Sequence, residues 1–492
     1  MAGAILKSEI PGTAGDNKMK RNFAFKSFIV SMVLASLAFS QNYNDAIRVS
    51  FPGLGPDARA LGMGNSFIAV SDNAAGGYFN PAGLGLVKKS IFSAGFDYSN
   101  LSNTATFFGN ETSSSTNGTK FNQASGVFTL PTVRGSMVIG ISYFQGKNLD
   151  GIVTFDGFNN GPTSKIQSLL NTDIPYDLYL TDENNITEIQ GQLNQSGDIL
   201  NTGNLNEWNF SGAIEVAKNT FIGGNLTYNT GKFESNSNYY EDDTHNIYQN
   251  ETAPGELQTM DFRTFNLKNL LNWDVYGWSG KLGMLYQWES FMRIGFTIQF
   301  PRIYTIEEKF NVDGSSTFGT GQKYILDPYY YSDQVKYEIQ TPYEFTLGAA
   351  FNLSFLIITG QATLIDYTQT EFSPVEGFDP AYFDEPNNEI KKTLRAAYNA
   401  NVGAELSLPY LPIKLRAGAI YQQSPFRMDD ESFDRKYLTA GVGFNFENAF
   451  GLDITYAHGW WKDIRDNYGS DVSRIYEDIN ENIFMITSSF WF

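Results

Sequence analysis

The chain has 492 residues, no cysteine, two histidines and a formal net charge of −19, from 34 Lys and Arg against 53 Asp and Glu. These counts exclude disulfide frameworks, thiolate zinc sites and cysteine nucleophiles, and the acidic balance excludes the basic surface of a nucleic-acid-binding protein. Charged residues make up 18% and aromatic residues 15%, against about 25% charged in a typical soluble domain, so neither a disordered chain nor a set of ordinary soluble domains fits the composition.

The first 40 residues have the pattern of a secretory signal. Basic residues precede an apolar run over 28–40, and this run ends in a small-x-small cleavage pattern. We expect cleavage before Gln41, with Met19 as the true start and residues 1–18 as a non-native extension. The alternative is a membrane anchor, but the run is shorter than the roughly 20 residues that a spanning helix needs.

Residues 41–88 form a second region, which is rich in glycine and shows no alternation. The segment ends in Asn80-Pro81-Ala82. Glycines let a folded segment pack closely against its surroundings, and Asn before Pro favours an extended or turn conformation. We expect this region to plug a barrel, because an open lumen of 14 strands would leak small solutes. The alternative is a periplasmic tail that never enters the barrel.

The third region, residues 89–492, alternates between apolar and polar residues. In 292–300, for example, every second residue from Met292 is apolar, and the residues between are polar or glycine. Side chains on a strand point to opposite faces in turn, so each such segment predicts a strand with one apolar face. We count about 14 segments: 89–99, 120–131, 135–146, 207–218, 220–232, 276–288, 291–308, 340–352, 354–369, 394–408, 412–424, 434–447, 450–460 and 481–492.

The predicted fold class is therefore all-β, a 14-stranded antiparallel transmembrane β-barrel with an N-terminal hatch inside the lumen. Short connections alternate with long polar ones at about 147–206, 233–275, 309–339, 370–393 and 461–480, and long loops are typical of the extracellular side. The acidic runs in these loops are solvated charges in the simplest interpretation and cation sites in the other. Tryptophans at strand ends predict interfacial girdles: Trp273, Trp278, Trp288, Trp460 and Trp461.

The last predicted strand places Phe484, Ile486, Phe490 and Phe492 on one face. A final amphipathic strand that ends in Phe resembles the outer-membrane assembly signal, so we expect the barrel-assembly machinery to be a partner during insertion.

The order of these regions resembles the FadL/TodX family of outer-membrane transporters for hydrophobic compounds. In that family an N-terminal hatch ends in an Asn-Pro-Ala motif before the first strand, and Asn80, Pro81 and Ala82 stand in that place. The resemblance covers nearly the whole mature chain in layout. It implies a monomer in the outer membrane, without metal or cofactor, that takes up long-chain fatty acids or aromatic hydrocarbons passively. The loops would capture the ligand, an apolar pocket above the hatch would hold it, and a lateral route would release it into the membrane.

A ligand with a carboxylate would need a cation in the pocket, and arginine suits bidentate carboxylate contacts. We favour Arg293 because the inward-facing neighbours on its strand leave room beside it. The alternative is that the lumen cations pair with lumen acids such as Glu405 and Asp453 and simply tie strands together. The lumen-facing candidates are Lys281, Arg293, Arg395, Lys414 and Arg416.

Three other classes of protein compete with this interpretation. An enzyme would need an activated nucleophile, but His245 falls in a predicted outer loop and His458 at a strand end, so we predict no enzymatic activity. A general diffusion porin is opposed by the plug. The nearest rival is a secretion protein that binds client signal domains, because the stretch 58–64 also resembles PorV-type barrels of the same superfamily.

Overall fold

The computed structural model describes residues 43–375, 379–446, 449–466, 468 and 473–492. The predicted signal peptide at 1–40 and the predicted turn at Asn448 lie outside the described residues. No helix among the described residues is both long and apolar enough to cross a membrane.

Most of the described chain is β-strand. The strands are β1 Ile91–Phe107, β2 Asn110–Leu130, β3 Met137–Asn148, β4 Gly151–Asn159, β5 Leu193–Ala217, β6 Thr220–Asp242, β7 Phe262–Trp288, β8 Met292–Gln299, β9 Ile303–Phe318, β10 Lys323–Ile325, β11 Ser332–Gln340, β12 Glu344–Asn352, β13 Leu356–Asp366, β14 Glu371–Pro374, β15 Ala396–Ser407, β16 Ile413–Gln422, β17 Arg435–Phe446, β18 Phe450–Arg465 and β19 Ile475–Trp491. The α-helices are α1 Tyr43–Ser50, α2 Ala58–Gly62, α3 Gly76–Phe79, α4 Lys165–Ser168, α5 Ile174–Asp177 and α6 Asp384–Thr393, and the 3₁₀-helices are Pro81–Leu86, Leu257–Thr259, Pro328–Tyr330, Tyr367–Gln369 and Pro380–Phe383.

These segments form a closed antiparallel barrel of fourteen strands, as predicted. Four barrel strands are split in two (β3/β4, β8/β9, β11/β12 and β13/β14), and β10 is a short strand beside β9. Two of the splits contain a proline, Pro301 and Pro342, which cannot donate to the ladder. β1 pairs with β19, with Ile91 opposite Trp491, so the sheet closes on itself. Closure leaves no unpaired edge towards lipid, where an unsatisfied backbone group is costly.

An apolar band surrounds the barrel at the end with the short turns. The alternation places its side chains on the outer face of successive strands, as predicted, and the final strand contributes Phe484, Ile486, Phe490 and Phe492 to it. Such a band is the lipid-facing surface of a membrane barrel. Its exposed members elsewhere include Phe92, Phe96, Phe210, Ile214, Leu226, Leu282, Met284, Phe296, Leu347, Leu364, Val402 and Leu438.

The strands continue well beyond this band, into ranges that we predicted to be loops. β5 begins at Leu193 rather than near 207, and β7 begins at Phe262 rather than near 276. The apolar face is reversed in these extensions: Phe233 and Phe265 point inward, while polar residues face outward. The search for outward apolar alternation could not detect them for this reason.

The tryptophan prediction holds for Trp278, Trp288 and Trp460, which are exposed on the outer face. It is wrong for Trp273 and Trp461, which are buried in the lumen. Both belong to the reversed part of their strands, where large apolar residues fill the interior.

The lumen is filled by the chain itself in three layers. Residues 58–88 pack inside the membrane band at the short-turn end and form the hatch. Helix α1 lies above the hatch within a ring of aromatic and aliphatic side chains. Residues 160–192 lie above both, inside the strand extensions, and share an apolar core with them. We call this last segment the outer cap.

Candidate functional site

The hatch motif joins the hatch to the barrel wall. Asn80 is fully buried, and its Nδ2 donates to the carbonyl of Ile68 at 3.0 Å and to that of Met284 on β7 at 3.3 Å. Its Oδ1 accepts from the backbone N of Ala82 at 3.1 Å and caps the 3₁₀-helix that Pro81 begins. One side chain therefore fixes the turn and attaches it to the wall.

Glycines in the wall make this close approach possible. A Cβ on Gly223 of β6 would lie 2.5 Å from the N of Ala82, and a Cβ on Gly295 would lie 2.6 Å from the O of Ile68. Within the hatch, Gly64 has φ +60° and packs against the backbone of β15 and β16. The hatch backbone thus contacts the wall backbone directly.

An ion-pair network fastens the hatch on the opposite side of the lumen. Arg59 of the hatch bonds Glu405 through Nε at 2.8 Å and Asp72 through Nη1 at 2.6 Å. Arg416 lies 2.7 Å from both Glu405 and Asp453. Because all these groups are largely buried, removing one partner would leave an uncompensated charge.

Three predicted ligand cations belong to this network. Arg416 and Lys414 both bond Glu405, the contact that our alternative interpretation predicted. Arg293 bonds Asp72 at 3.1 Å and lies near the short-turn end, beside the hatch. Arg395 lies at the other end of the barrel, where its Nε donates to the carbonyl of Ser424. The ligand-binding role of these four residues stays a prediction.

The ring around α1 is an extensive apolar surface inside the barrel, just above the hatch. Ala46 and Val49 of the helix are buried in it, Phe51 stacks on Tyr367, and Arg48 lies over the Phe233 and Trp273 rings. Its wall residues come from seven or more barrel strands: Leu205, Phe233, Trp273, Val275, Tyr304, Ile306, Val335, Tyr337, Ile339, Ile365, Phe372 and Ala397.

A cavity of about 120 Å³ lies between α1 and the hatch. Phe51, Leu205 and Tyr304 belong both to its lining and to the ring, so the two regions are contiguous. In contrast to the ring, the cavity is lined by five charged side chains: Lys147, Glu207, Lys281, Arg302 and Glu344.

Lys281 is the only one of our ligand candidates that lines this cavity. Its Nζ lies over the Tyr78 ring at 5.2 Å and donates to the Tyr78 carbonyl. Our sequence reasoning missed Arg302 and Glu207. Pro301 within a predicted strand was the available signal for the first, because it marks the bend where Arg302 enters the lumen.

The barrel wall has a seam between β2 and β4. β2 pairs with β3 from Leu130 to Gln123. Beyond that point, residues 110–122 of β2 face residues 145–159 of the β3/β4 strand; all of these residues are described, and no strand pairing joins them. β4 instead pairs with β5 alone. Side chains close the seam, with Lys120 Nζ bonding Asn148 at 2.5 Å and Asp150 at 2.6 Å.

An apolar groove of about 540 Å³ runs along the outer face just below this seam. Its floor on the outer face has only small residues, Ala124 and Gly126. Four aromatic rings cross its upper end in contact with one another, at centroid distances of 5.1–5.8 Å: Phe96, Phe121, Tyr143 and Trp208.

The wall behind the groove is polar, and several of its buried side chains lack hydrogen-bond partners. Asn122, at a bulge in β2, and Gln123 are buried, yet neither side chain finds a hydrogen-bond partner among the described residues. The same holds for the hydroxyls of Ser125 and Ser142. Buried polar groups are normally paired, so this part of the wall lacks the tight packing seen at the hatch.

A buried carboxylate on β6 joins the outer cap to the wall. Glu241 accepts hydrogen bonds from the backbone N of Lys165 at 2.6 Å, from that of Ile166 at 3.3 Å and from Gln195 Nε2 at 2.7 Å. Burial raises the pKa of Glu241 to about 7, with these hydrogen bonds opposing the rise. Burial lowers the pKa of Lys165 to about 8, with Glu241 and Asp466 opposing.

His245 lies in a loop, whereas His458 lies within β18 rather than at the strand end that we predicted. His245 is exposed in the loop after β6 and packs on Phe158, and His458 Nδ1 lies 3.0 Å from Asn482 Oδ1 on the neighbouring strand. The described residues contain no cluster of three or more potential metal ligands from His, Cys, Asp and Glu.

The fold is similar to that of several solved channels. The Pseudomonas putida toluene transporter TodX matches with a TM-score of 0.53 at 14% identity, over 89% of this chain and 99% of that one. A Pseudomonas aeruginosa FadL homologue matches with a TM-score of 0.54 at 11% identity, over 90% and 99%. The CymD monoaromatic hydrocarbon channel matches with a TM-score of 0.50 at 15% identity, over 89% and 98%. No family model and no curated protein matches the sequence.

These likenesses confirm the predicted fold, a hatch-filled barrel of the FadL/TodX type. Together with the apolar band they place the chain in the outer membrane as a multi-pass β-barrel.

Proposed function

We propose that this barrel takes up hydrophobic molecules, such as long-chain fatty acids or aromatic hydrocarbons, across the outer membrane. The observation that carries the proposal is the apolar ring around α1. A lumen that only passed polar solutes would have no use for such a set of aromatic and aliphatic side chains, which line seven neighbouring barrel strands. The similar structures include a toluene transporter and a monoaromatic hydrocarbon channel, which supports the same substrate class.

In this proposal the ring is the ligand pocket and α1 occupies it between transport events. Ala46 and Val49 are small or medium-sized side chains, so an alkyl chain or a single aromatic ring can take the place of the helix face. Burying each CH₂ group contributes about 0.8 kcal/mol, which offsets the loss of the helix contacts for a long chain.

Release would then follow the seam. The ring includes Leu149 between β3 and β4, and the closed seam beside it ends at the lipid-facing groove. An apolar ligand that moves sideways stays out of water throughout. The small residues on the groove floor and the unpaired side chains behind it, such as Gln123, support this place in the wall.

The experiment that tests release uses a substitution in the groove. Gly126→Leu fills the groove from its floor, whereas Gly360→Leu adds the same side chain on β13, where the nearest atom to the new Cβ, Asn401 O, is 3.9 Å away. We expect Gly126→Leu to slow uptake of a labelled long-chain fatty acid by cells, and Gly360→Leu to leave it unchanged. Equal uptake by the two variants would contradict the proposed lateral route but not the proposed ligand pocket.

The PorV-type alternative stays a prediction that co-purification can test. It requires the barrel to retain a client protein of a secretion system and to carry no bound lipid. The apolar ring favours the small-molecule proposal, since a protein client would contact the barrel ends rather than its interior.

A further inference from the structure

The cavity between α1 and the hatch contains one carboxylate that the protein leaves without a donor. Glu207 lies on the inner face of β5 and lines the cavity. Among the described residues no hydrogen-bond donor or cation lies within bonding distance of its carboxylate. Arg302, Lys281 and Glu344 are the charged groups whose fields reach it.

The three cations of the cavity are each engaged elsewhere. Lys147 Nζ donates to the carbonyls of Arg48 at 2.7 Å and Phe51 at 2.6 Å, at the C-terminal end of α1. Lys281 is held by Tyr78. Arg302 is paired with Glu344 at 2.5 Å. All three cations therefore already have partners within the protein, whereas an incoming donor would meet Glu207 directly.

The size and charge of the cavity limit which hydrogen-bond donors could bind to Glu207. The cavity volume of about 120 Å³ is several times the roughly 10–15 Å³ that one water molecule needs, so the cavity has room for a polar head group. An ammonium head would be repelled by Lys281 and Arg302. A hydroxyl donates a hydrogen bond without carrying charge, and a hydrogen bond to a charged acceptor is stronger than a neutral one.

We propose that the cavity binds the hydroxyl head of an apolar alcohol or phenol through Glu207, while the apolar body takes the place of α1 in the ring. This inference rests on the proposed function, because it assigns the head-group site of the same pocket. It names Glu207 as the residue that selects hydroxylated substrates over carboxylated ones.

The test compares decanol, decanoate, decylamine and decane, which share a chain length and differ in head group. Their binding to the purified full-length barrel in nanodiscs is measured by calorimetry for the wild type, Glu207→Gln, Glu207→Leu and the control Glu234→Gln, which alters an exposed carboxylate on β6. We expect the wild type to bind decanol most tightly. Glu207→Leu should lose at least tenfold in decanol affinity, the equivalent of one charge-assisted hydrogen bond, and Glu207→Gln should lose less. Decane affinity should not fall in either variant, which also shows that the barrel is folded.

Three results would overturn the inference. Unchanged decanol affinity in both Glu207 variants would remove the residue from the site. Tightest binding of decylamine, lost in Glu207→Gln, would replace the hydroxyl with an ammonium head. Tightest binding of decanoate would show that the cations select the ligand instead. Failure of all four probes to bind the wild type would contradict the proposed function itself, and so is distinguishable from these.

Discussion

The contact between the hatch motif and β6 can be tested by adding one methyl group. In Gly223→Ala the new Cβ would lie 2.5 Å from both the N of Ala82 and the C of Pro81, whereas ordinary contacts between heavy atoms begin near 3.5 Å. The hatch or the strand must therefore move by about 1 Å. Overpacking of this kind costs about 1–3 kcal/mol, and displacing the motif strains the bonds of Asn80, each worth about 1 kcal/mol.

Hatch docking should thus weaken by about 2–4 kcal/mol, which raises the population with a displaced hatch by about thirty- to a thousand-fold at 1.4 kcal/mol per decade. The assay is single-channel conductance in planar bilayers, where Gly223→Ala should show frequent openings that the wild type lacks. The matched control is Gly212→Ala on β5, where the nearest atom to the new Cβ is 3.7 Å away. Correctly folded Gly223→Ala protein that conducts no more than Gly212→Ala would refute the reasoning.

Three further predictions concern the outer cap, the ion-pair network and the hatch. Because the pKa of Glu241 is raised from 4.5 to about 7, cap docking is strongest below about pH 4.5 and weakens by up to about 3 kcal/mol as the pH rises to about 7. Hydrogen exchange in 160–192 should therefore become faster over this pH range. A pH dependence that persists in Glu241→Gln would contradict this prediction. Arg416→Ala removes the buried cation that Glu405 and Asp453 share, and the heat-denaturation midpoint on gels should drop in line with about 3–5 kcal/mol. A midpoint equal to wild type would show that Arg59 and Lys414 satisfy Glu405 without it. Ser66→Cys with Thr359→Cys replaces two hydroxyls 3.1 Å apart in a chain without native cysteine. The resulting disulfide should block the conductance of Gly223→Ala until reductant is added. Openings that are equally frequent with and without reductant would exclude hatch displacement as their source.

The membrane part of the fold could be predicted because lipid imposes a simple pattern. Every strand in the band must place apolar residues outward, so the alternation in a segment such as 292–300 is enough to predict a membrane-spanning strand. The Asn80 motif was also recognisable, because it follows a glycine-rich stretch and precedes the first strand. Beyond the band that constraint ends, and the reversed alternation around Phe233 and Phe265 is indistinguishable from a polar loop when only outward apolar faces are sought.

The candidate site was less accessible to sequence reasoning, because inward-facing polar residues differ in role but not in type. Arg416 and Lys281 both face the lumen, yet Arg416 forms an ion pair with Glu405 and Lys281 lines the cavity. The difference depends on which strands are neighbours and on where the hatch lies. Glu207 lay just at the predicted start of its strand, where nothing local distinguished it from a loop acid.

The most direct test of the account is uptake by cells that produce this barrel in place of their own transporters for hydrophobic compounds. The account predicts faster entry of a labelled long-chain fatty acid or of toluene than in cells without the barrel, with entry of small sugars unchanged. Equal entry of the hydrophobic probes with and without the barrel, or faster entry of the sugars, would contradict it.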